Sequence, residues 1–348
     1  MADRDGPDPR FIMIPRRVTI VRYIVRSLVL SAALCMAVGC SKEGAQPSES
    51  RADTGKSEAP AVSTAGGAHP YPESFTHLPV WDQGLSEMSY YQAVDTIYGQ
   101  PRRYVRVMLL NREWLNPLER VKSNNPKAAA QGKDGKAAGN EIPVLKLNLI
   151  EEIPTQNYNY RYMVTTFLNR ESLEPEKVAA SSQEWCGTTF KQYQWLPDGL
   201  KVRGFSYFEG EGDREWSLPK RPVVYPAAAL FVIARALVAA DRDMTLHVLP
   251  PARSTHMSEP IPQEVSLEVS KESRSVRVPF GRFSARIVTA TRAGESKPAE
   301  FTIEAAAPYR LLAYRGSTGL ELSLRFQENR AYWDRSKPSR FYRQGAAP

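Results

Sequence analysis

In Leu320-Glu-Leu-Ser-Leu-Arg-Phe326 the apolar residues fall on every second position, and the same rhythm returns in Val265–Val269, Val276–Val278 and Phe301–Ile303. Successive side chains of a strand point to opposite faces, so each segment predicts a strand with one buried and one wet face, the habit of antiparallel sheets. Further strands are expected over 88–97, 104–110, 144–150, 160–168, 177–193, 200–208 and 244–249. Pro197-Asp198-Gly199 supplies turn chemistry between two of them, which predicts a hairpin over 188–208.

One segment breaks the rhythm. Residues 226–240 open with Pro226, which suits a first helical turn, and are apolar nearly all round except for Arg235. Fifteen residues are too few to span a bilayer, so the segment is expected to be one buried helix across a curved antiparallel sheet, in a mainly β protein.

Two stretches lack the apolar content to order themselves. Residues 41–70 contain no aromatic residue, and 122–139 are rich in Lys, Ala and Gly. The chain is therefore divided into a leader (1–39), a tether (40–76), a β-rich body (77–327) with an insertion at 122–139, and a basic, aromatic tail (328–348), expected to be partly docked.

The leader carries Arg16, Arg17, Arg22 and Arg26 before the uncharged run Ser27–Gly39 and then Cys40. Basic, apolar and small-residue regions in that order are the three parts of an export signal. Thirteen helical residues reach roughly 20 Å, short of a ~30 Å hydrocarbon layer. Met13 is an alternative initiator. Ala37-Val38-Gly39-Cys40 resembles the lipobox of bacterial lipoproteins, although Ala37 stands where Leu is usual. The resemblance implies a diacylglyceryl thioether on Cys40, cleavage between Gly39 and Cys40, and an acyl-chain hold on membrane lipid. Ordinary signal cleavage and an uncleaved anchor are the competing readings. Ser41 after the modified residue suits the periplasmic face of the outer membrane.

Composition narrows the classes. The 348 residues carry 46 basic and 38 acidic side chains, and removing the six arginines and three aspartates of 1–39 lowers the balance from +8 to +5. Such an excess is no signature of nucleic-acid binding, and none is expected. Of three cysteines, Cys35 leaves with the leader and Cys40 takes lipid, so Cys186 has no intramolecular partner.

No phosphate-binding loop, nucleophile elbow, zinc-protease or dinucleotide motif occurs. Cys186 invites a thiolate nucleophile with His247 or His256 as base; the bland alternative is a small buried strand residue, with Gly187 marking a bulge or close approach. Glu209-Gly-Glu-Gly-Asp213 lacks calcium-loop spacing and reads as a solvated turn. Arg235 is a candidate to grip an anionic ligand, against a structural pair with an acid of the sheet. No cofactor or metal is expected.

The series Val144-Leu-Lys-Leu-Asn148, Tyr158-Asn-Tyr160, Gln183-Glu-Trp-Cys-Gly187 and Ser206-Tyr-Phe208 with Glu211-Gly-Asp213 resembles an uncharacterised family of bacterial envelope lipoproteins over roughly residues 80–240. The later part, with Val278-Pro-Phe-Gly-Arg-Phe283, is similar in pattern to periplasmic half-barrel proteins related to lipoprotein carriers. That resemblance implies a half-barrel with a helix in or over its concavity. The expected function is non-enzymatic: an envelope binding or assembly factor that holds an apolar ligand or partner peptide on the concave face. A thiol enzyme at Cys186 and a tether between membrane and cell wall are the alternatives.

Overall fold

The computed structural model describes residues 71–123 and 141–336, all within one compact unit. The expected leader, Gly39 and Cys40, most of the tether, nearly all of the insertion and the end of the tail lie outside these residues.

Strand β1 (Ser86–Ile97) is the seam of a single antiparallel sheet, pairing with β2 on one side and β17 on the other. From β2 (Gln100–Asn116) one arm meanders through β4 (Ile142–Pro154), β5 (Asn159–Asn169), β6 (Pro175–Glu184), β7 (Gly187–Leu196), β8 (Gly199–Phe205) and β9 (Asp213–Leu218). The short β3 (Val121–Lys122) pairs with the end of β2. From β17 (Glu321–Arg330) the other arm passes back through β16 (Leu311–Arg315), β15 (Ala299–Glu304) and β14 (Gly281–Arg292). It ends in β13 (Arg274–Val278), β12 (Gln263–Val269), β11 (Met244–Val248) and β10 (Val224–Tyr225). Only β10–β11 is parallel among the described pairs. The sheet stays open, with β9 and β10 as its edges.

The expected helix is present as a 3₁₀ turn at Ala227–Ala229 leading into α3 (Leu230–Ala240), after the short helices α1 (Glu73–Thr76) and α2 (Pro79–Asp82). It ends where Asp241 turns left-handed and the Arg242 N–H reaches back to the Leu237 carbonyl. The helix packs into the main core with residues of both arms, among them Tyr91, Leu110 and Leu147 on one side and Leu267, Phe301 and Ile303 on the other. The sheet thus wraps the helix. Among the described residues no helix is long and apolar enough to cross a membrane.

Three boundaries differ from expectation. Tyr71 and Phe75 are buried, so the body begins inside the segment assigned to the tether: the aromatics that border it cover one end of α3. Strand β17 continues to Arg330, because Ser86 of β1 pairs with it there, and Tyr332 beyond packs on a small outer cluster around Met88, Tyr90 and Leu109. The single strand expected over 177–193 is two, closed by a turn at Trp185-Cys186 between paired Glu184 and Gly187. The 188–208 hairpin forms with Leu196 opposite Gly199. Gly199 sits at φ +146°, and a Cβ there would overlap the Leu218 carbonyl.

Candidate ligand cavity

Where the two arms face each other beside the start of α3, they leave a cavity of about 280 Å³. Its walls are apolar: Leu149 and Val164 from the first arm, Val265, Ala290 and Phe301 from the second, with Leu230 and Phe231 above. Small side chains create the space. Ala227 and Ala228 begin the helix, and Ala290 and Ala299 occupy inward positions on β14 and β15 where larger residues would fill it.

At one pole the lining turns polar. Arg106 of β2, only 2% exposed, stands directly opposite Glu151 of β4, and its Nε donates to Glu151 Oε1 at 2.7 Å. Arg253, from the segment after β11, donates to the other Glu151 oxygen and lies 2.8 Å from Asp95 Oδ2. The Tyr104 hydroxyl donates to Glu151 at 2.8 Å and accepts from Arg253 Nη2 at 3.2 Å. Burial pushes the Glu151 carboxyl up, but Arg106 and Arg253 outweigh it and hold the pKa below the ordinary carboxylate value. Burial and the adjacent Glu151 carboxylate push the Tyr104 phenol up. Arg106 and Arg253 line this pole, and the Glu151 and Asp95 carboxylates behind them balance their charge. At the rim Arg292 pairs with Glu295 at 2.7 Å, balanced again.

The segment carrying Arg253 is held from below. Lys191 of β7 donates to the carbonyls of Ser254 (2.9 Å) and His256 (2.7 Å), and burial lowers its pKa to about 8. Thr255 bonds Glu184, and the Tyr162 hydroxyl lies 3.1 Å from Thr255.

The residues singled out in the sequence do not converge on this cavity. Arg235 is 4% exposed and already saturated: its guanidinium is bidentate to Glu87 (2.8 and 3.0 Å) and donates to the carbonyls of Tyr309 and Pro308. It lies over the rings of Trp81 and Phe75, and this structural pair replaces the ligand-gripping role. Cys186 is neither a buried strand residue nor a partner of histidine. It is exposed in the β6–β7 turn, where its thiol contacts Glu184 Oε2 at 3.2 Å and the Tyr158 hydroxyl at 3.8 Å. His247 is half-buried on β11, in register with Val224 and Glu264, while His256 binds Glu211 at 2.6 Å. Among the described residues no group of three or more His, Cys, Asp or Glu is placed to hold a metal ion. The cavity residues were missed because they lie on seven separate strands as well as the helix and loops; the one sequence signal was a run of alanines at a helix start.

No protein-family model and no curated protein matches the sequence. Among solved structures the chain is similar to a beta-barrel-like protein of the domain of unknown function DUF1849 from Brucella abortus, at 8% identity and a TM-score of 0.42, over 70% of this chain and 98% of that one.

Proposed function

We propose that the protein is an exported, lipid-anchored binding factor of the bacterial cell envelope that holds a small apolar ligand with a polar end between the arms of its sheet. The observation that carries the ligand reading is the cavity itself: apolar walls opened by small alanines and one polar pole where Arg106 and Arg253 are charge-balanced by carboxylates behind them, the usual make-up of a small-molecule site. Its volume of about 280 Å³ lies just below the ~300 to 1,000 Å³ common for such sites, which favours one acyl chain or a compact apolar molecule over a multiply acylated lipid. The anchor at Cys40, the position at the periplasmic face of the outer membrane and membership of an envelope lipoprotein family rest on the leader and the motifs of the sequence. The non-enzymatic reading is favoured over a thiol enzyme by the surroundings of Cys186, whose partners are a carboxylate and a phenol rather than an imidazole.

The test is mass spectrometry of organic extracts from the full chain purified without added lipid, with displacement of a fluorescent fatty acid as the binding assay. Ala290→Phe, which fills the cavity, is expected to abolish probe binding while Cys186→Ser leaves it intact. Probe binding that survives Ala290→Phe in a folded protein refutes the assignment.

A further inference from the structure

The four upper hairpin turns of the first arm, β1–β2, β4–β5, β6–β7 and β8–β9, lie along one edge of the sheet, because the strands alternate in direction. Neighbouring turns are two strands, roughly 10 Å, apart. Each carries aromatic residues: Tyr98, Tyr158, Trp185, and Tyr207 with Phe208. They form an almost continuous row. Tyr98 meets Tyr160 edge-on, Tyr160 leans on Tyr158, and Tyr158 stacks on Trp185 at 4.9 Å and 11°. Tyr207 lies over Gly187 so closely that a Cβ there would overlap its ring. Trp185 is nonetheless 81% exposed, an unusual place for the largest side chain.

Beside the Tyr158–Trp185 stack is an open depression of about 510 Å³. Its other walls are Asn159, Arg161, Gln183, Glu184 and Thr188, polar without exception. Arg161 and Gln183 are cross-strand neighbours, as are Gln183 and Thr188. Arg161 alternates with Tyr160 and Tyr162, which join the main core, so Arg161, Gln183 and Thr188 face outward, while Tyr158 and Glu184 reach the depression from the inward register at the strand ends.

We propose that this depression binds an uncharged pyranose oligosaccharide, with one sugar ring laid on the exposed indole of Trp185. The chemistry of the walls selects this class. A pyranose presents a flat C–H face and a rim of hydroxyls; an aromatic plate suits the first, and planar groups such as Asn, Gln, Glu and Arg suit the second. An aliphatic ligand or a bilayer would find no aliphatic side chain here. A phosphate or carboxylate would find Arg161 already paired with Glu152 at 3.2 Å and Glu184 alongside, a net negative wall. The exposed Gln183 and Thr188 point hydrogen-bonding groups to solvent on the same face. The inference also gives the Gln183–Gly187 motif a common purpose: Gln183, Glu184 and Trp185 line the site, and Gly187 lets Tyr207 brace the turn. It is independent of the apolar cavity.

The test is titration of the purified full chain with cellotetraose and with chitotetraose to millimolar concentration, followed by tryptophan fluorescence and saturation-transfer NMR. At least one sugar is expected to give a saturable response with transfer to its axial C–H protons. Trp185→Ala should weaken it by about tenfold or more, Trp185→Tyr by less, and Gln183→Ala should weaken it without touching the stack. Thermal midpoints of all three should match the wild type, since the replaced side chains are exposed. No saturable response to either sugar, or binding unchanged in Trp185→Ala, overturns the proposal. So does Trp185-dependent binding to phosphatidylcholine vesicles without a sugar response, which would make the row a bilayer-facing edge.

Discussion

Replacing Arg235 by Met isolates one interaction at the centre of the molecule. The substitution keeps the apolar stem but removes a guanidinium that is bidentate to Glu87 and satisfies two backbone carbonyls, in a site where both partners are 5% exposed or less. What remains is a carboxylate with no cation inside the core and two unpaired acceptors. Breaking one side of a buried pair costs about 3 to 5 kcal/mol, because the surviving charge keeps its desolvation penalty. Each orphaned carbonyl adds on the order of 1 kcal/mol, and these contributions are not additive. A loss of about 4 kcal/mol is roughly a quarter or more of the stability of an ordinary domain. Urea unfolding followed by tryptophan fluorescence measures it. The second arm of the experiment is the pair Arg235→Met with Glu87→Leu: with no charge left to bury, at least half of the lost stability should return. A single substitution costing less than 1 kcal/mol, or a double substitution no more stable than the single one, refutes the reasoning.

Lys191 gives a pH signature. Its folded-state pKa of about 8 lies below the ordinary 10.5, so between those values the unfolded chain binds the extra proton and stability rises with pH. The rise, up to about 3 kcal/mol, should turn over above pH ~10, where the unfolded state ionises tyrosines such as Tyr193 and Tyr225 that folding holds near pKa 12. Unfolding curves from pH 7 to 11 check it, and Lys191→Met should lack the rising limb. Gly187→Ala should cost about 1 to 3 kcal/mol or displace Tyr207, since the new Cβ meets that ring; Gly210→Ala nearby, with nothing around it, should show only the strain of its positive φ. Cys186→Ser should change stability by less than about 0.5 kcal/mol, as expected of an exposed turn residue, and thiol labelling of the native protein should go rapidly to completion.

Most of the sheet was legible because half-buried strands announce themselves by alternation. The segments Val265–Val269, Phe301–Ile303 and Leu320–Phe326 are strands, or parts of strands, with the expected inward faces. Others were silent for identifiable reasons. In β9, Asp-Arg-Glu-Trp-Ser-Leu lies mostly exposed at the sheet edge, so no buried face imposes a pattern. Strand β14 changes its pattern along its length: Arg282 and Ser284 are exposed near its start, whereas Val288 and Ala290, at positions of the same parity, are buried near its end. The pairing of β1 with β17, some 230 positions later, has no local signal. For the candidate sites, Arg235 was visible as the one charge in an apolar helix, but its partner Glu87 was not. Nor was the quartet of Asp95, Arg106, Glu151 and Arg253, because its members are ordinary strand or loop residues until the sheet brings them together.

The all-apolar character of α3 raises a question that packing alone does not answer. A helix with one greasy stripe is turned to its place by that stripe, whereas one apolar on every side gains similar burial at several rotations about its axis. Arg235 breaks the tie. Only one rotation brings its guanidinium to Glu87 and to the carbonyls of Pro308 and Tyr309 together, and that rotation also sets Phe231 and Leu230 over the ligand cavity. The pair therefore acts on uniqueness as much as on stability, the role best attested for buried polar groups at helix interfaces. The double variant Arg235→Met, Glu87→Leu separates the two effects: it should recover at least half of the stability lost by the single substitution yet lose the definition of its interior. In methyl NMR spectra the resonances of Val232, Ile233 and Leu237 should broaden or split, and affinity for the fluorescent fatty acid should fall although no cavity-lining residue has changed. A double variant with one sharp methyl set and undiminished probe binding would show that side-chain packing fixes the helix by itself.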